Sequence, residues 1–291
     1  MGQKIEGRKI ADEILEEVAS NIEKFKSKNN MAPGLAVVQV GDDPASQVYV
    51  SNKVKTAKKV GLVSIEYRLP EDSSQDTVNT LIRRLNEDPS VHGILVQLPL
   101  PEHLDANQVI DTIDAEKDVD GFHPVNVGTL SLGRSTLTPC TPLGCMIILE
   151  RMLGDLTGKN AVVIGASNIV GKPMAAMLLE ACCSVTMLHK YSTDIPTIAA
   201  TADILVVAAG QPKMVKADWV KPGAIVLDVG ITAVEVEGKR RLQGDVDFAE
   251  VIDVASAVTP VPGGIGPMTI ACLMKNTLTA AEAQAHTRSE T

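Results

Sequence analysis

Apolar positions along this chain follow two alternating rhythms. Ile10, Ile14, Leu15, Val18 and Ile22 recur at helical spacing and predict an amphipathic helix over 9–27. The next run, Gly34-Leu35-Ala36-Val37-Val38-Gln39-Val40, is continuous and β-branched, as a strand buried on both faces is. It ends at Gly41-Asp42-Asp43-Pro44, a helix-start signal. That helix runs to about Val60, with Gly61 as its stop. The alternation continues with a strand over 63–69, a helix over 74–87, a third strand over 91–99 closed by Pro99 and Pro101, and a short helix over 105–113. Thr138-Pro139-Cys140-Thr141-Pro142 then leads into a helix reaching Leu153 that starts at Thr141 or Pro142. Beyond it, strands at 160–164, 184–188, 203–208 and 224–229 alternate with helices at 171–181 and 194–201. A hairpin follows over 233–243, turning at Glu237-Gly238-Lys239, then a helix starting near Pro267. Strands alternating with helices predict the α/β class, here as two βαβ domains flanking a cleft.

Composition narrows the chemistry. Of 291 residues, 45% are hydrophobic but only 2% are aromatic, so the core must be aliphatic. A net charge of −9 argues against a nucleic-acid or anionic-membrane partner, so an anionic ligand must rely on local donors. Five cysteines without zinc-like spacing predict reduced thiols and no metal site. The polar start Met1-Gly2-Gln3-Lys4-Ile5-Glu6 lacks a signal-peptide core, and no apolar run approaches the ~20 residues that cross a bilayer, so a cytoplasmic location is expected.

The candidate chemistry sits at strand ends. Ala161-Val162-Val163-Ile164 runs into Gly165-Ala166-Ser167-Asn168-Ile169-Val170-Gly171-Lys172-Pro173 and then an apolar helix. Strand, glycine turn and helix N-terminus together hold phosphates. Ser167 stands where the usual dinucleotide pattern has its second glycine, so an ordinary tight strand–helix turn is the competing reading. The next strand ends in His189-Lys190, where an NAD site carries an acidic residue for the ribose 2′-OH; a basic tip points to a 2′-phosphate and so to NADP. A solvated surface lysine is the alternative for Lys190. Strands 203–208 and 224–229 also end in glycine turns, at Gly210 and Gly230, where a bound dinucleotide would pass.

In the first half, Ser46, Tyr49 and Lys53 fall on one face of a helix that follows a strand's C-terminal end, where open α/β sheets bind ligands. A merely solvated face competes with that reading. Gln97 also lies at a strand's end. Of Asp118 and Asp120, in Lys117-Asp118-Val119-Asp120-Gly121, one is expected to enter the cleft, with a turn or capping role the alternative. Cys140 has no neighbour that suggests an activated thiolate. The loop Thr259-Pro260-Val261-Pro262-Gly263-Gly264-Ile265-Gly266-Pro267 is dense enough in glycine and proline to allow close backbone approach to a ligand.

Together the segments Tyr49-Val50-Ser51-Asn52-Lys53, Gln97-Leu98-Pro99-Leu100-Pro101, Lys117 to Gly121, Thr138 to Pro142, Gly165 to Pro173 and Pro262-Gly263-Gly264-Ile265-Gly266-Pro267-Met268-Thr269 stand in one family's order. The chain closely resembles the bacterial bifunctional methylenetetrahydrofolate dehydrogenase/methenyltetrahydrofolate cyclohydrolases of one-carbon metabolism, over about residues 3–282. The resemblance implies a catalytic folate-binding domain at 1–140 and a Rossmann-like NADP domain at 141–282, its last helix packing back on the first domain, with a frayed tail at 283–291. It also implies a homodimer and tetrahydrofolate derivatives as substrates.

It implies catalytic roles for Lys53, Tyr49, Gln97 and Asp120. Substrate contacts would come from Tyr49, Ser46, Gln97, Asp120, Pro262 and Gly266. Cofactor contacts would come from Gly165, Ala166, Ser167, Ile169, Val170, His189, Lys190 and Ile231. Many relatives place an arginine after the first glycine, where this chain has Ala166. Some bacterial members share that alanine and carry a basic residue after the histidine, which Lys190 matches. Two alternatives are an NAD-linked dehydrogenase with little cyclohydrolase activity and a non-catalytic dinucleotide sensor.

Overall fold

A computed structural model describes residues 2–236 and 238–290. Its elements begin with β1 (Gln3–Lys4), α1 (Gly7–Asn29), β2 (Gly34–Val40), α2 (Pro44–Val60), β3 (Val63–Leu69), α3 (Gln75–Glu87), β4 (Gly93–Val96), α4 (Ala106–Thr112), α5 (Pro124–Ser131) and α6 (Cys140–Leu153). There follow β5 (Asn160–Ile164), α7 (Gly171–Glu180), β6 (Ser184–Leu188), α8 (Ile195–Ala199), β7 (Ile204–Val207), β8 (Ile225–Asp228), β9 (Thr232–Val236), β10 (Lys239–Gln243), α9 (Phe248–Val251), β11 (Ala257–Val258) and α10 (Ile265–Glu290). The chain divides into two compact units. One is Met1–Ala11 with Thr141–Thr269, the other Asp12–Cys140 with Ile270–Thr291.

The second unit is built on a parallel three-stranded sheet in the order β3-β2-β4. Strand order reverses between β2 and β4, and such a switch point opens a crevice beyond the strands' carboxyl ends. Asp118 extends the sheet by one isolated parallel bridge to Ile94, where Ile94 N donates to Lys117 O at 2.7 Å. The segments after β2, after β4 and after Asp118 therefore emerge side by side. The core beneath is aliphatic, with Ala36, Val38, Val78, Ile82 and Ile94 fully buried.

The first unit carries a six-stranded, all-parallel sheet in the order β1-β11-β8-β7-β5-β6. Leaving out β1, its strands run 2-1-3-4-5 in chain order, a doubly wound arrangement whose switch point lies between β5 and β7. Val162, Ile164, Leu205, Val207 and Val226 form the aliphatic centre, while Trp219 and Phe248 pack only at its margin. The hairpin β9–β10 pairs antiparallel over Thr232–Gln243; Glu237 of the predicted turn lies outside the described residues. Among the described residues, no helix is long and apolar enough to cross a membrane.

Several elements differ from the sequence expectation. The third strand was predicted over 91–99, but β4 spans only Gly93–Val96. Backbone pairing reaches one residue further at each end, with His92 N donating to Gly34 O and Gln97 N to Val38 O. It stops there because Pro99 has no N–H to offer. Helix α5 was not predicted, since eight residues with Gly128 inside carry little periodicity. Strands β1 and β11, at two residues each, are too short to leave a pattern. Because β1 pairs with β11, Met1–Ala11 groups with the six-stranded unit and not with the residues that follow it. The end expected to fray from Ala283 continues as α10 to Glu290, and there Gln284 is buried with its amide donating to His92 O at 2.9 Å and Glu116 O at 3.3 Å.

Lys117 closes the end of α3. Its buried ammonium donates to the carbonyls of Leu85 (3.2 Å), Asn86 (2.6 Å) and Asp88 (2.9 Å), which helix geometry leaves without intrahelical partners. Lys117→Met removes the donor and keeps the volume. The expected result is a loss of about 2–4 kcal/mol in urea unfolding, because hydrogen bonds to charged groups are worth about 1.5–3 kcal/mol each and are not additive. A loss within about 0.5 kcal/mol, the range of an unremarkable surface change, would contradict this role.

Candidate active site

In the three-stranded unit, α2 begins at Asp43, whose carboxylate accepts from Ser46 N at 2.7 Å, with Pro44 in the first turn. This fixes the helical phase that puts Ser46, Tyr49 and Lys53 on one stripe. Lys53 is only 7% exposed. Its Nζ donates to Gln97 Oε1 at 3.0 Å, and Gln97 Nε2 donates to Leu98 O at 2.6 Å. Since an ammonium only donates, the oxygen of Gln97 must face it, and both ends of the amide are thereby committed. Ser46 is buried, and Tyr49 stays 37% exposed. Burial pushes the Tyr49 hydroxyl above the usual phenol range.

Asp120 joins the same group. Burial pushes its carboxyl up, and the Lys53 cation draws it back down. The Cys140 thiol donates to Val119 O at 3.3 Å. Burial, reinforced by the Asp120 charge, pushes that thiol well up, so Cys140 is a neutral donor and no nucleophile at neutral pH. Asp118 turns the other way. Its buried carboxylate accepts from Gly121 N (3.1 Å), His123 N (2.7 Å) and Asn126 Nδ2 (3.0 Å), which folds the chain just beyond Asp120. Gly121 sits at φ +73°, and a Cβ there would lie 2.5 Å from Thr138 C. Asn276, on α10, donates to Val119 O at 2.9 Å and Thr138 O at 2.8 Å. Asp118 fills the turn role that the sequence leaves open for one of the two acids, whereas Asn276 is not expected from the sequence. Asn276 carries no motif, and the pair of acids in Lys117–Gly121 did not reveal which one faces inward.

In the six-stranded unit, Gly165 ends β5 at φ +120°, and a Cβ there would lie 2.2 Å from Ala208 O. A Cβ on Gly171 would lie 1.9 Å from Gly165 O. Both positions require glycine if the turn is to close against β7 and α7 is to approach the turn. Ser167, in the place of the second glycine, turns its hydroxyl back to accept from Val170 N at 3.1 Å. Ile169 and Ile231 expose apolar side chains at 40% and 38%. At the end of β6, the His189 backbone N donates to Ser192 Oγ at 3.0 Å. Lys190 Nζ lies 4.9 Å from the ring centroid of Tyr191, which is 79% exposed. No carboxylate occurs from His189 to Thr193. This donor set fits NADP: a glycine cradle at the switch point for the pyrophosphate, exposed apolar side chains for the rings, and a lysine in place of the acid that would read a free 2′-OH.

Pro262 and Gly266 lie in this unit too. Gly263 takes φ +102°, with its carbonyl accepting from Arg8 N at 3.1 Å. A Cβ on Gly266 would stand 3.5 Å from Ile231 Cδ1. The structure thus groups Lys53, Gln97 and Asp120 in one unit, with Ser46 and Tyr49 on the Lys53 stripe. It places the predicted cofactor residues together with Pro262 and Gly266 in the other.

Beside the Gly210 and Gly230 turns, Asp228 is buried and accepts from Gly230 N (3.1 Å), Asp245 N (2.9 Å) and Val246 N (3.0 Å). Burial pushes its carboxyl up to about 7, and the Asp245 charge adds to that. The folded chain holds this proton more tightly than the unfolded chain. Its contribution to stability is therefore full below the ordinary value of 3.8 and is lost as pH rises through about 7. Asp118, Asp120 and Asp245 are shifted in the same direction. The expected result is a Tm lower by about 5 °C or more at pH 8 than at pH 5 in scanning calorimetry, given ~2–4 °C per kcal/mol for a chain of this size. A Tm rising across that interval would contradict the assignment.

Known proteins match the chain over most of its length. Residues 5–120 match the family model for the tetrahydrofolate dehydrogenase/cyclohydrolase catalytic domain, and residues 139–285 match that for its NAD(P)-binding domain. The chain is 57% identical over 281 residues to bifunctional protein FolD 2 of Pseudomonas savastanoi pv. phaseolicola, covering 97% of this chain and 93% of that protein. Among solved structures, it is similar to the bifunctional FolD dehydrogenase/cyclohydrolase of Campylobacter jejuni, with a TM-score of 0.94, 48% identity, and coverage of 97% of this chain and 99% of that one. It is also similar to the Trypanosoma brucei FolD complexed with NADP cofactor and an inhibitor, with a TM-score of 0.94, 38% identity and 98% of each chain covered.

Proposed function

Because the chain belongs to the tetrahydrofolate dehydrogenase/cyclohydrolase family, we propose that Lys53, Gln97, Asp120 and Tyr49 carry its chemistry on folate and that the β5–β7 switch point holds its NADP. The protein is an NADP-dependent 5,10-methylenetetrahydrofolate dehydrogenase and 5,10-methenyltetrahydrofolate cyclohydrolase. NADP⁺, when bound, supplies the hydride acceptor.

The dehydrogenase step asks little acid–base work of the protein. As hydride leaves the carbon bridging N5 and N10, the N5 lone pair stabilises the cation, so the protein mainly orients the folate. Tyr49, half exposed on the Lys53 stripe, supplies a ring against which the folate is positioned. Asp120 accepts from the pterin amino group through charge-assisted hydrogen bonds.

The cyclohydrolase step needs proton transfer. Water attacks the methenyl carbon, and Lys53 relays one of its protons. Lys53 then returns that proton to N5 as the C–N5 bond breaks. The second water proton passes to solvent, and 10-formyltetrahydrofolate remains. The observation that carries this assignment is the hydrogen bond from Lys53 Nζ to Gln97 Oε1, beside the Asp120 carboxylate. Gln97 fixes the direction of the amine, so the proton is taken and returned along one geometry.

We further propose that the chain forms a homodimer and works in the cytoplasm. The family resemblance supports the dimer. Light scattering should give about twice the chain mass of 30.8 kDa; a single-chain mass would remove the dimer.

Purified protein given 5,10-methylenetetrahydrofolate with NADP⁺ or NAD⁺ tests the functional assignment. Methenyl and 10-formyl products with NADP⁺ are expected. Methenyl product alone, formed with NAD⁺, would instead support an NAD-linked dehydrogenase, and binding without turnover would support a dinucleotide sensor.

A further inference from the structure

Three turns leave the carboxyl end of the six-stranded sheet side by side: Gly165 onward after β5, Ala208–Gln211 after β7, and Val229–Ile231 after β8. The latter two are held by a buried carboxylate. Asp245 is fully buried, and its Oδ2 accepts from Ala209 N at 2.7 Å and Gly210 N at 2.8 Å. Asp245 is itself held by Asp228, whose Oδ1 accepts from both Asp245 N and Gly230 N. The packing leaves no slack. A Cβ on Gly230 would lie 2.1 Å from Asp245 Cγ, and one on Gly244 would lie 1.9 Å from Asp228 Oδ2. From Ala209 the chain of contacts continues through Ala208 O to Gly165 and on to Gly171 at the start of α7. On its outer side the β7 turn is open, with nothing within 4 Å of the place where Gly210 would carry a Cβ.

We propose that Asp245, braced by Asp228, is a positioning residue for the dinucleotide, setting the Ala208–Gly210 turn against the Gly165 turn so that cofactor affinity depends on it. The proposal rests on the NADP site lying at the β5–β7 switch point, as assigned above. Two backbone N–H groups could have been satisfied by a neutral acceptor. The chain instead buries a carboxylate next to a second carboxylate. Buried charge is costly to folding, and such costs concentrate where a site must be held in one shape. The raised carboxyl values of both groups report the same cost. Ala209 N and Gly210 N are thereby directed inward to Asp245, with Gly210 at φ +67°.

The test uses Asp245→Ala and Asp245→Asn in the full chain. NADP⁺ affinity is read by titration calorimetry, and KM for NADP⁺ and kcat by methylenetetrahydrofolate oxidation. Hydrolysis of added methenyltetrahydrofolate, which needs no hydride acceptor, serves as a separate readout. Asp245→Ala is expected to weaken NADP⁺ binding and raise its KM at least tenfold, with kcat changed less than threefold and hydrolysis changed less than twofold. Asp245→Asn, which keeps one acceptor oxygen, is expected to recover part of that loss. Unchanged NADP⁺ affinity in a folded Asp245→Ala chain would overturn the proposal. So would a parallel fall of hydrolysis and NADP⁺ affinity, which marks a purely structural role. If the alanine variant does not fold, the asparagine variant is judged on the same readouts. A wild-type chain that binds no NADP⁺ would defeat the cofactor assignment itself, and this proposal with it.

Discussion

Lys53→Met is expected to lower hydrolysis of added 5,10-methenyltetrahydrofolate by about 10²–10⁴-fold, the usual contribution of a positioned general acid–base group. NADP⁺ affinity is expected to stay within about twofold, since Lys53 is not among the residues assigned to the cofactor. Methionine keeps most of the stem's volume in a site where Lys53 is 7% exposed, so the loss is chemical and not a collapse of packing. Two secondary effects act in the same direction. Gln97 Oε1 loses the donor that fixes it, and Asp120 loses the cation that draws its carboxyl down against the push of burial. Asp120 then stays protonated to higher pH and anchors the pterin less well. The dehydrogenase step needs no proton relay, so it is expected to fall less than hydrolysis does. Hydrolysis surviving within about threefold would remove Lys53 from the relay.

The second large effect concerns cofactor choice. Lys190→Ala is expected to weaken NADP⁺ binding by about 10–100-fold and NAD⁺ binding by less than twofold, because one charge-assisted hydrogen bond to the 2′-phosphate is worth about 1.5–3 kcal/mol. The contrast matters because Ala166 leaves this chain without the arginine that many relatives place beside the first glycine. Lys190 is then the cation at the end of β6, on a segment from His189 to Thr193 that holds no carboxylate. Its ammonium already lies over the Tyr191 ring at 4.9 Å, an interaction that an exposed site makes weak and easily exchanged for phosphate. Competition titrations of the two cofactors read the difference. Equal losses for NADP⁺ and NAD⁺ would show that Lys190 does not touch the 2′-phosphate.

What the sequence made legible follows from local physics. The α2 stripe was readable because Ser46, Tyr49 and Lys53 are fixed by helical periodicity, and Gly61, at φ +93°, ends the helix where its position suggested. Gln97 was readable because the prolines behind it close a strand. Gly165 and Gly171 were readable because a tight strand–helix turn must approach its helix and neighbouring strand closely, and their missing Cβ atoms leave the room that approach takes. The hidden part is non-local. Asp228 and Asp245 are 17 residues apart and meet only once β8 and the segment after β10 have folded together. Asn276 reaches Val119 across 157 positions. Asp118 and Asp120 are chemically identical in the sequence. Only the hydrogen bonds that Asp118 accepts from Gly121, His123 and Asn126 distinguish the clasp from the acid beside Lys53.

Hydride removal leaves a methenyl product, and Lys53, held by Gln97, is expected to carry its hydrolysis on the same chain. The most direct test incubates purified protein with 5,10-methylenetetrahydrofolate and NADP⁺ and quantifies NADPH and 10-formyltetrahydrofolate together over time. The expected result is one 10-formyltetrahydrofolate for each NADPH in the wild type. In Lys53→Met, NADPH should still form while methenyltetrahydrofolate accumulates. A wild-type reaction that makes NADPH and stops at methenyltetrahydrofolate, or a Lys53→Met chain that still yields the two products one to one, would contradict it.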